Sequence, residues 1–147
     1  MANIFTYGTL EIPAVMAMVA GKSFPSFPAT ANGFARFLLK NRLYPGMMAS
    51  TGEHTTGYLY VDLDQETLGL LDQFEDDLYI RQEITVTTTL GSTMKAYAYI
   101  IPTNHRARLS PNPWDRLHFE THHLQAYLEA CKEFHAHAVQ TKVNHQV

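Results

Sequence analysis

An α+β domain is the fold class that this chain predicts, and three observations carry it. β-branched and aromatic residues concentrate in short extended runs at 3–7, 29–39, 55–63, 79–89 and 93–101. The last two runs are separated only by Leu90-Gly91-Ser92, which reads as a hairpin. Helical spacing of apolar residues appears over 12–20, again from Thr67 to Phe74, and in a long closing stretch that begins at Trp114. With 147 residues and 46% apolar composition the chain supports one sizeable core, so a single domain over 1–147 is expected.

The elements follow in order. Residues 3–7 form the first strand, and Gly8-Thr9-Leu10 turns it into the helix at 12–20, with Pro13 in the first turn where no N–H is needed. Residues 22–28, with two prolines and two serines, read as a loop. Residues 29–39 read as a strand in which Gly33 marks a bend or bulge, and Tyr44-Pro45-Gly46 and residues 52–54 read as turns. In the strand at 55–63, Leu59, Val61 and Leu63 make one apolar face. Asp64 is placed to cap a short helix whose Leu68, Leu71 and Phe74 turn inward, and Glu75-Asp76-Asp77 ends it. After the hairpin, residues 102–113 form a proline-rich loop. Asn112-Pro113 reads as N-cap and first helical position of one amphipathic helix that carries Leu117, Leu124, Tyr127, Leu128, Cys131 and Phe134 to about Ala138. Beyond it the chain reads as frayed.

Composition excludes several function classes. Eleven basic against fourteen acidic side chains leave a net charge of −3, without a basic stripe interleaved with aromatics, which argues against nucleic acid and an anionic membrane as partners. The single cysteine, Cys131, sits among helical apolar positions as a packing residue and fits a reducing compartment. The amino terminus has no basic n-region, and the apolar run at 12–20 is too short to span a bilayer, so a cytoplasmic location is expected. Nothing in the pattern speaks to oligomeric state.

Glu75 is the leading candidate for chemistry. It falls at the carboxyl end of its helix, where the backbone dipole disfavours a negative charge, with Asp72 one turn back and Asp76 and Asp77 adjacent. With burial, these neighbours tune a carboxyl toward the neutral pKa of a proton shuttle; read locally, the same run is also a solvated turn. The strand-to-helix turn at Gly8 offers backbone N–H groups to an anion, and it also reads as plain connection. Eight histidines raise a metal-binding reading, with His118 and His122 one helical turn apart, but the run His118-Phe119-Glu120-Thr121-His122 lacks the glutamate after the first histidine that a zinc-protease motif needs, and no third ligand is spaced to join them. No metal is therefore expected. Ser50 and Ser110 lie in no nucleophile elbow, and Cys131 has no local activator.

Taken together, Tyr7-Gly8-Thr9-Leu10, Tyr44-Pro45, Gly57-Tyr58-Leu59-Tyr60 and Leu71-Asp72-Gln73-Phe74-Glu75 followed by Tyr79-Ile80-Arg81 resemble the gamma-glutamylcyclotransferase-like superfamily. The resemblance covers a core of about 3–101, and the closing helix, about 113–138, looks like the extension of its avirulence-induced, plant-type branch. It implies a small mixed β-barrel flanked by helices and a cavity at the barrel mouth. It also implies conversion of a γ-glutamyl amine or γ-glutamyl amino acid to 5-oxoproline, with no metal or organic cofactor. On that resemblance Glu75 stands at the position of the proton acceptor, and Tyr7, Gly8, Thr9 and Leu10 at the glutamyl-binding loop. Tyr79 and Arg81 would line or brace the cavity. The family commonly has glycine where this chain has Asp76. Residues 102–113, with Trp114, are expected to wall the leaving-group side. A binding module for a small acidic metabolite on the same fold is the alternative of a different class.

Overall fold

The computed structural model describes residues 1–145, with side chains described through residue 140. Five strands close into a barrel in the order β1-β3-β2-β4-β5, with β1 at Ala2–Thr6, β2 at Ser26–Leu38, β3 at Pro45–Leu63, β4 at Ile80–Thr88 and β5 at Thr93–Ile100. Four of the neighbour pairs are antiparallel, and the closing pair, β1 with β5, is parallel through Ile4 and Tyr97. This is the mixed barrel that the resemblance implied. The helices are α1 at Pro13–Ala20, α2 at Gln65–Phe74, α3 at Arg116–His122 and α4 at Leu124–His145.

Two apolar layers follow from the two faces of the strands. Phe5, Tyr7, Ala29, Met47, Leu59, Val86, Ala98 and Ile100 fill the barrel, with alanines on β2 and β5 making room for the aromatics of β1. Outside it, Ile4, Tyr60 and Leu63 pack against Val15 and Val19 of α1, Leu68 and Leu71 of α2, Phe119 of α3 and Cys131 of α4. Strands buried on both faces in this way bury polar-tipped residues too, and Tyr60, 2% exposed, finds its partner in Leu10 O at 2.9 Å. Burial also pushes the Cys131 thiol up to about 12, consistent with a packing residue.

Several boundaries depart from the sequence reading. β2 begins three residues earlier than the expected strand, inside the stretch read as a loop, because Ser26, Phe27 and Pro28 pair with Tyr60, Leu59 and Tyr58. Tyr44-Pro45-Gly46 does not form the turn; Pro45 opens β3, and Gly46 provides room, since a Cβ there would lie 2.5 Å from Ile101 Cγ1. The turn falls just before, with Asn41 at φ 60°. The turn read at 52–54 is a bulge within β3, where Gly52 and the facing Gly33 both have φ of 86°. In the same strand the alternation of Leu59, Val61 and Leu63 breaks at Asp62, whose φ of 61° shifts the register against β1 and turns Leu63 to the Tyr60 side.

The helix starts obey capping chemistry. Asp64 accepts from Thr67 N at 2.7 Å, as its position led one to expect, and it also meets Lys22 Nζ. Gly21, at φ 77°, closes α1 with its N–H on Ala17 O. The closing helix is two helices. Asp115, not Asn112, caps α3 by accepting from His118 N, while Asn112 O is taken by Leu38 N. At His123 (φ −127°, ψ −17°) the chain bends into α4. The end read as frayed is helical to His145, and residues 146–147 lie outside the described residues. Among the described residues no helix is long and apolar enough to cross a membrane.

Candidate active site

Where β1 leaves the barrel, Tyr7 through Leu10 turn into α1, and the end of α2 faces them. Between them lies a cavity of about 630 Å³, its open mouth included, lined by Phe5–Leu10, Tyr44, Phe74, Glu75, Asp76, Tyr79, Tyr99 and Tyr127. Glu75 and the glycine turn therefore share one cavity, as do five tyrosines. Among the described residues no lysine, arginine or histidine lines it.

The turn is held open by its neighbours. Arg36 Nη1 donates to Tyr7 O at 2.8 Å and to Thr56 O at 3.1 Å, fixing the end of β1. Gly8 lies against the Pro45 ring so closely that a Cβ would come within 2.8 Å of Cδ, which excludes any side chain there. Glu11 N and Ile12 N return to Gly8 O and Thr9 O, whereas the N–H groups of Gly8, Thr9 and Leu10 have no acceptor among the described residues. Glu11 is itself buried and paired with Arg116 of α3 at 3.6 Å.

Glu75 ends α2, with its N–H on Leu71 O and extended dihedrals that direct the chain away from the helix. Its carboxyl has no hydrogen-bond partner among the described residues. The residue is only partly exposed and lines the cavity, and its burial there, followed by the charges of Asp76 and Asp72, raises its pKa to about 8. Of the sequence argument, the like charges of Asp76 and Asp72 are the minor causes, and the burial that it set as a condition is the major one.

Asp76 does not crowd this site freely. Its carboxylate accepts from Arg42 Nε at 2.9 Å, from Tyr44 OH at 2.6 Å and from Leu78 N at 3.0 Å. The last bond closes an Asx turn over 76–78, the job that a glycine would do by conformational freedom. Burial works to raise the Asp76 pKa, but these donors outweigh it and hold the carboxyl below its usual range.

The other anticipated residues divide. Tyr79, one residue ahead of β4 rather than within it, lines the cavity and donates to Pro45 O. Arg81 lines an adjoining hollow that shares Glu75, Asp76, Tyr79 and Tyr99 with the cavity, 3.5 Å from Asp72 Oδ2 and over the Tyr97 ring. Through Asp72, which accepts from Tyr99 OH at 2.7 Å, it braces the wall from outside. The wall expected from 102–113 and Trp114 is elsewhere. Ser110 N and Lys40 N exchange bonds with Leu38 O and Arg108 O, which fastens that segment to the end of β2. Trp114 is buried on Phe119 with its indole N–H on Leu43 O. The missing wall is Tyr127 of α4, 3.1 Å from Thr9 Oγ1 across 118 residues of sequence, a separation that no local signal bridges. Among the described residues no group of three or more His, Cys, Asp or Glu is arranged to hold a metal; His118 and His122 stack at 4.3 Å.

A closed five-stranded mixed barrel flanked by helices, with a desolvated carboxyl facing a glycine turn across one cavity, defines a narrow class of protein. Residues 4–116 match the family described as gamma-glutamyl cyclotransferase, AIG2-like, and the chain belongs to that family. AIG2-like protein D of Arabidopsis thaliana is 27% identical over 136 residues, covering 91% of this chain and 89% of the relative. A solution structure of another Arabidopsis thaliana protein superposes with a TM-score of 0.66 at 25% identity, covering 88% of this chain and 87% of that one. The yeast gamma-glutamyl cyclotransferase specific to glutathione shares the fold with a TM-score of 0.59 at 14% identity, over 92% of this chain and 95% of its own.

Proposed function

We propose that the protein cyclises a γ-glutamyl amine or γ-glutamyl amino acid to 5-oxoproline and releases the amine, with Glu75 moving the proton. The observation that supports this reading is the single cavity lined by both Glu75 and the Tyr7–Leu10 turn, in which burial raises the Glu75 pKa to about 8. In the reaction the substrate's α-nitrogen attacks its own γ-carbonyl, so the ammonium must first lose a proton. The substrate's ammonium, beside a free carboxylate, titrates above the value of about 8 of a peptide amino terminus, so an ordinary glutamate of about 4.3 accepts its proton at a cost of at least roughly 5 kcal/mol. Raised to about 8, Glu75 removes most of that cost, and the protonated carboxyl then returns the proton to the departing nitrogen.

The N–H groups of Gly8, Thr9 and Leu10 are the donors for the substrate's anionic atoms. Ring closure is intramolecular, so the cavity contributes chiefly by holding the chain folded with nitrogen near carbonyl carbon. No cofactor enters this scheme. The test is release of 5-oxoproline from a panel of γ-glutamyl amines and γ-glutamyl amino acids. Turnover of at least one supports the reading; turnover of none, with binding retained, favours a binding module on the same fold.

Asp76→Asn separates charge from turn geometry at the site. Asparagine keeps the Oδ1 acceptor for Leu78 N but removes the charge that raises the Glu75 pKa. The acid limb of the rate profile is therefore expected to move to lower pH; because the amide nitrogen replaces the Oδ2 that accepts from both Arg42 and Tyr44, the maximal rate is expected to fall by up to about a hundredfold, the scale of two lost hydrogen bonds. An unmoved limb contradicts the electrostatic role.

A further inference from the structure

Most hydroxyl protons in the cavity are already committed. Tyr7 donates to Tyr99 O, Tyr44 to Asp76, Tyr79 to Pro45 O, Tyr99 to Asp72, and Thr6 to Tyr58 O. Tyr127 differs, because its hydroxyl meets only that of Thr9. Two hydroxyls in contact hold two protons and use one between them, whichever donates, so the pair keeps one proton for a third group. Among the described residues lining the cavity it is the one side-chain proton left without an acceptor, apart from that of a protonated Glu75.

Its location gives it a use. Thr9 sits in the turn whose backbone N–H groups also lack acceptors. Among the described residues no cationic side chain lines the cavity beside this turn, so an anion at the turn meets neutral donors. The Tyr127 ring is set edge-on to Phe74, at 86°, and to Phe119, at 79°, which fixes where its hydroxyl points before any ligand arrives. A glutamyl group carries ammonium and carboxylate on one carbon; with the ammonium at Glu75, repulsion turns the carboxylate toward the side of the cavity that offers donors.

We propose that the Thr9–Tyr127 hydroxyl pair, with the N–H groups of the turn, receives the α-carboxylate of the glutamyl group, making Tyr127 of α4 a substrate-binding residue. This rests on the cyclotransferase reading above. It also gives α4 a function of its own, since Tyr127 lies beyond residue 116, where the family match ends.

5-Oxoproline and 2-pyrrolidinone test it, because they share a lactam ring and differ by the carboxylate. Titrated into wild type and Tyr127→Phe, 5-oxoproline is expected to lose about tenfold or more in affinity on substitution, the scale of a hydrogen bond to a charged group, while 2-pyrrolidinone is unchanged. Thr9→Val, which removes the other hydroxyl at nearly the same size, should repeat the selective loss, and KM for a turned-over substrate should rise in both with kcat little altered. Equal losses for the two lactams, or none, reduce Tyr127 to packing and overturn the proposal. A fall in kcat with unchanged KM and 5-oxoproline affinity assigns the pair to the oxyanion and overturns it too. Wild type that neither binds nor releases 5-oxoproline removes the cyclotransferase reading as well, an outcome distinct from the others.

Discussion

Glu75→Gln is expected to lower 5-oxoproline formation by about 10²–10⁴-fold, the usual contribution of a general acid–base group, while raising the melting temperature at alkaline pH. Glutamine matches the shape and neutrality of the protonated carboxyl but cannot take a proton from the substrate. Burial, with the charges of Asp76 and Asp72, lifts the native Glu75 pKa from 4.5 to about 8. Below about pH 4.5 the folded and unfolded chains both hold this proton, so it contributes nothing to the pH dependence of stability. Between there and about pH 8 the unfolded chain releases a proton that the folded chain retains, and stability falls as pH rises. Above about 8 the loss is complete. Glutamine removes that loss, so its advantage over wild type grows from pH 5 to pH 8.5, reaching about 1–3 kcal/mol once the linkage value is discounted for solvent entering the cavity.

The wild-type rate rises with pH toward about 8 as the base ionises and falls again above the pKa of the substrate's ammonium, whose proton the departing nitrogen needs. Thermal melts and 5-oxoproline assays at both pH values check the pair of effects. A variant within tenfold of wild-type turnover, or a melting difference that shrinks toward alkaline pH, removes Glu75 from the proton path.

What the sequence made legible is what local spacing controls. Asp64 stands three residues before the N–H it caps, and Leu90-Gly91-Ser92 closes a hairpin of contiguous strands, so both could be read directly. Glu75 and the Tyr7–Leu10 turn were individually ambiguous, and only the order of motifs across the chain raised them together. The features that escaped were set by partners far away. A single left-handed residue, Asp62, reverses the facing of Leu63, and nothing in Val-Asp-Leu announces it. The break at His123 interrupts a pattern that is amphipathic on both sides, so periodicity continued through it. Residues 102–113 look free to fold over a cavity until the backbone acceptors at the end of β2 engage them. Tyr127 reads as one more apolar-face residue of a helix; its hydroxyl acquires meaning only beside Thr9.

Gly57→Ala is expected to be the most damaging small substitution in the barrel, although Gly57 has no left-handed dihedral and any residue could adopt its backbone conformation. The constraint is space. A Cβ at this position would lie 2.1 Å from Thr6 O and 2.9 Å from Phe5 Cζ. The first contact is with backbone, in a strand whose Thr6 is paired with Tyr58 and whose Phe5 is 1% exposed in the barrel core, so neither can turn aside. Relief requires β1 to move off β3, and the expected loss is about 3 kcal/mol, the upper end for overpacking, or roughly 6–12 °C in a domain of this size. Activity should fall by more than stability explains, because the next residue after Thr6 opens the Tyr7–Leu10 turn, and Arg36 joins Tyr7 O to Thr56 O, one residue before the substitution. Gly69→Ala supplies the contrast: within α2, with nothing inside 4 Å of its would-be Cβ, it should stabilise by about 0.5–1 kcal/mol through helix propensity alone. Melting temperatures that move in opposite directions for the two alanines follow from this packing. A Gly57→Ala protein that melts within a degree of wild type would mean that β1 and β3 do not approach so closely, and that the cavity wall hung from β1 is set by something else.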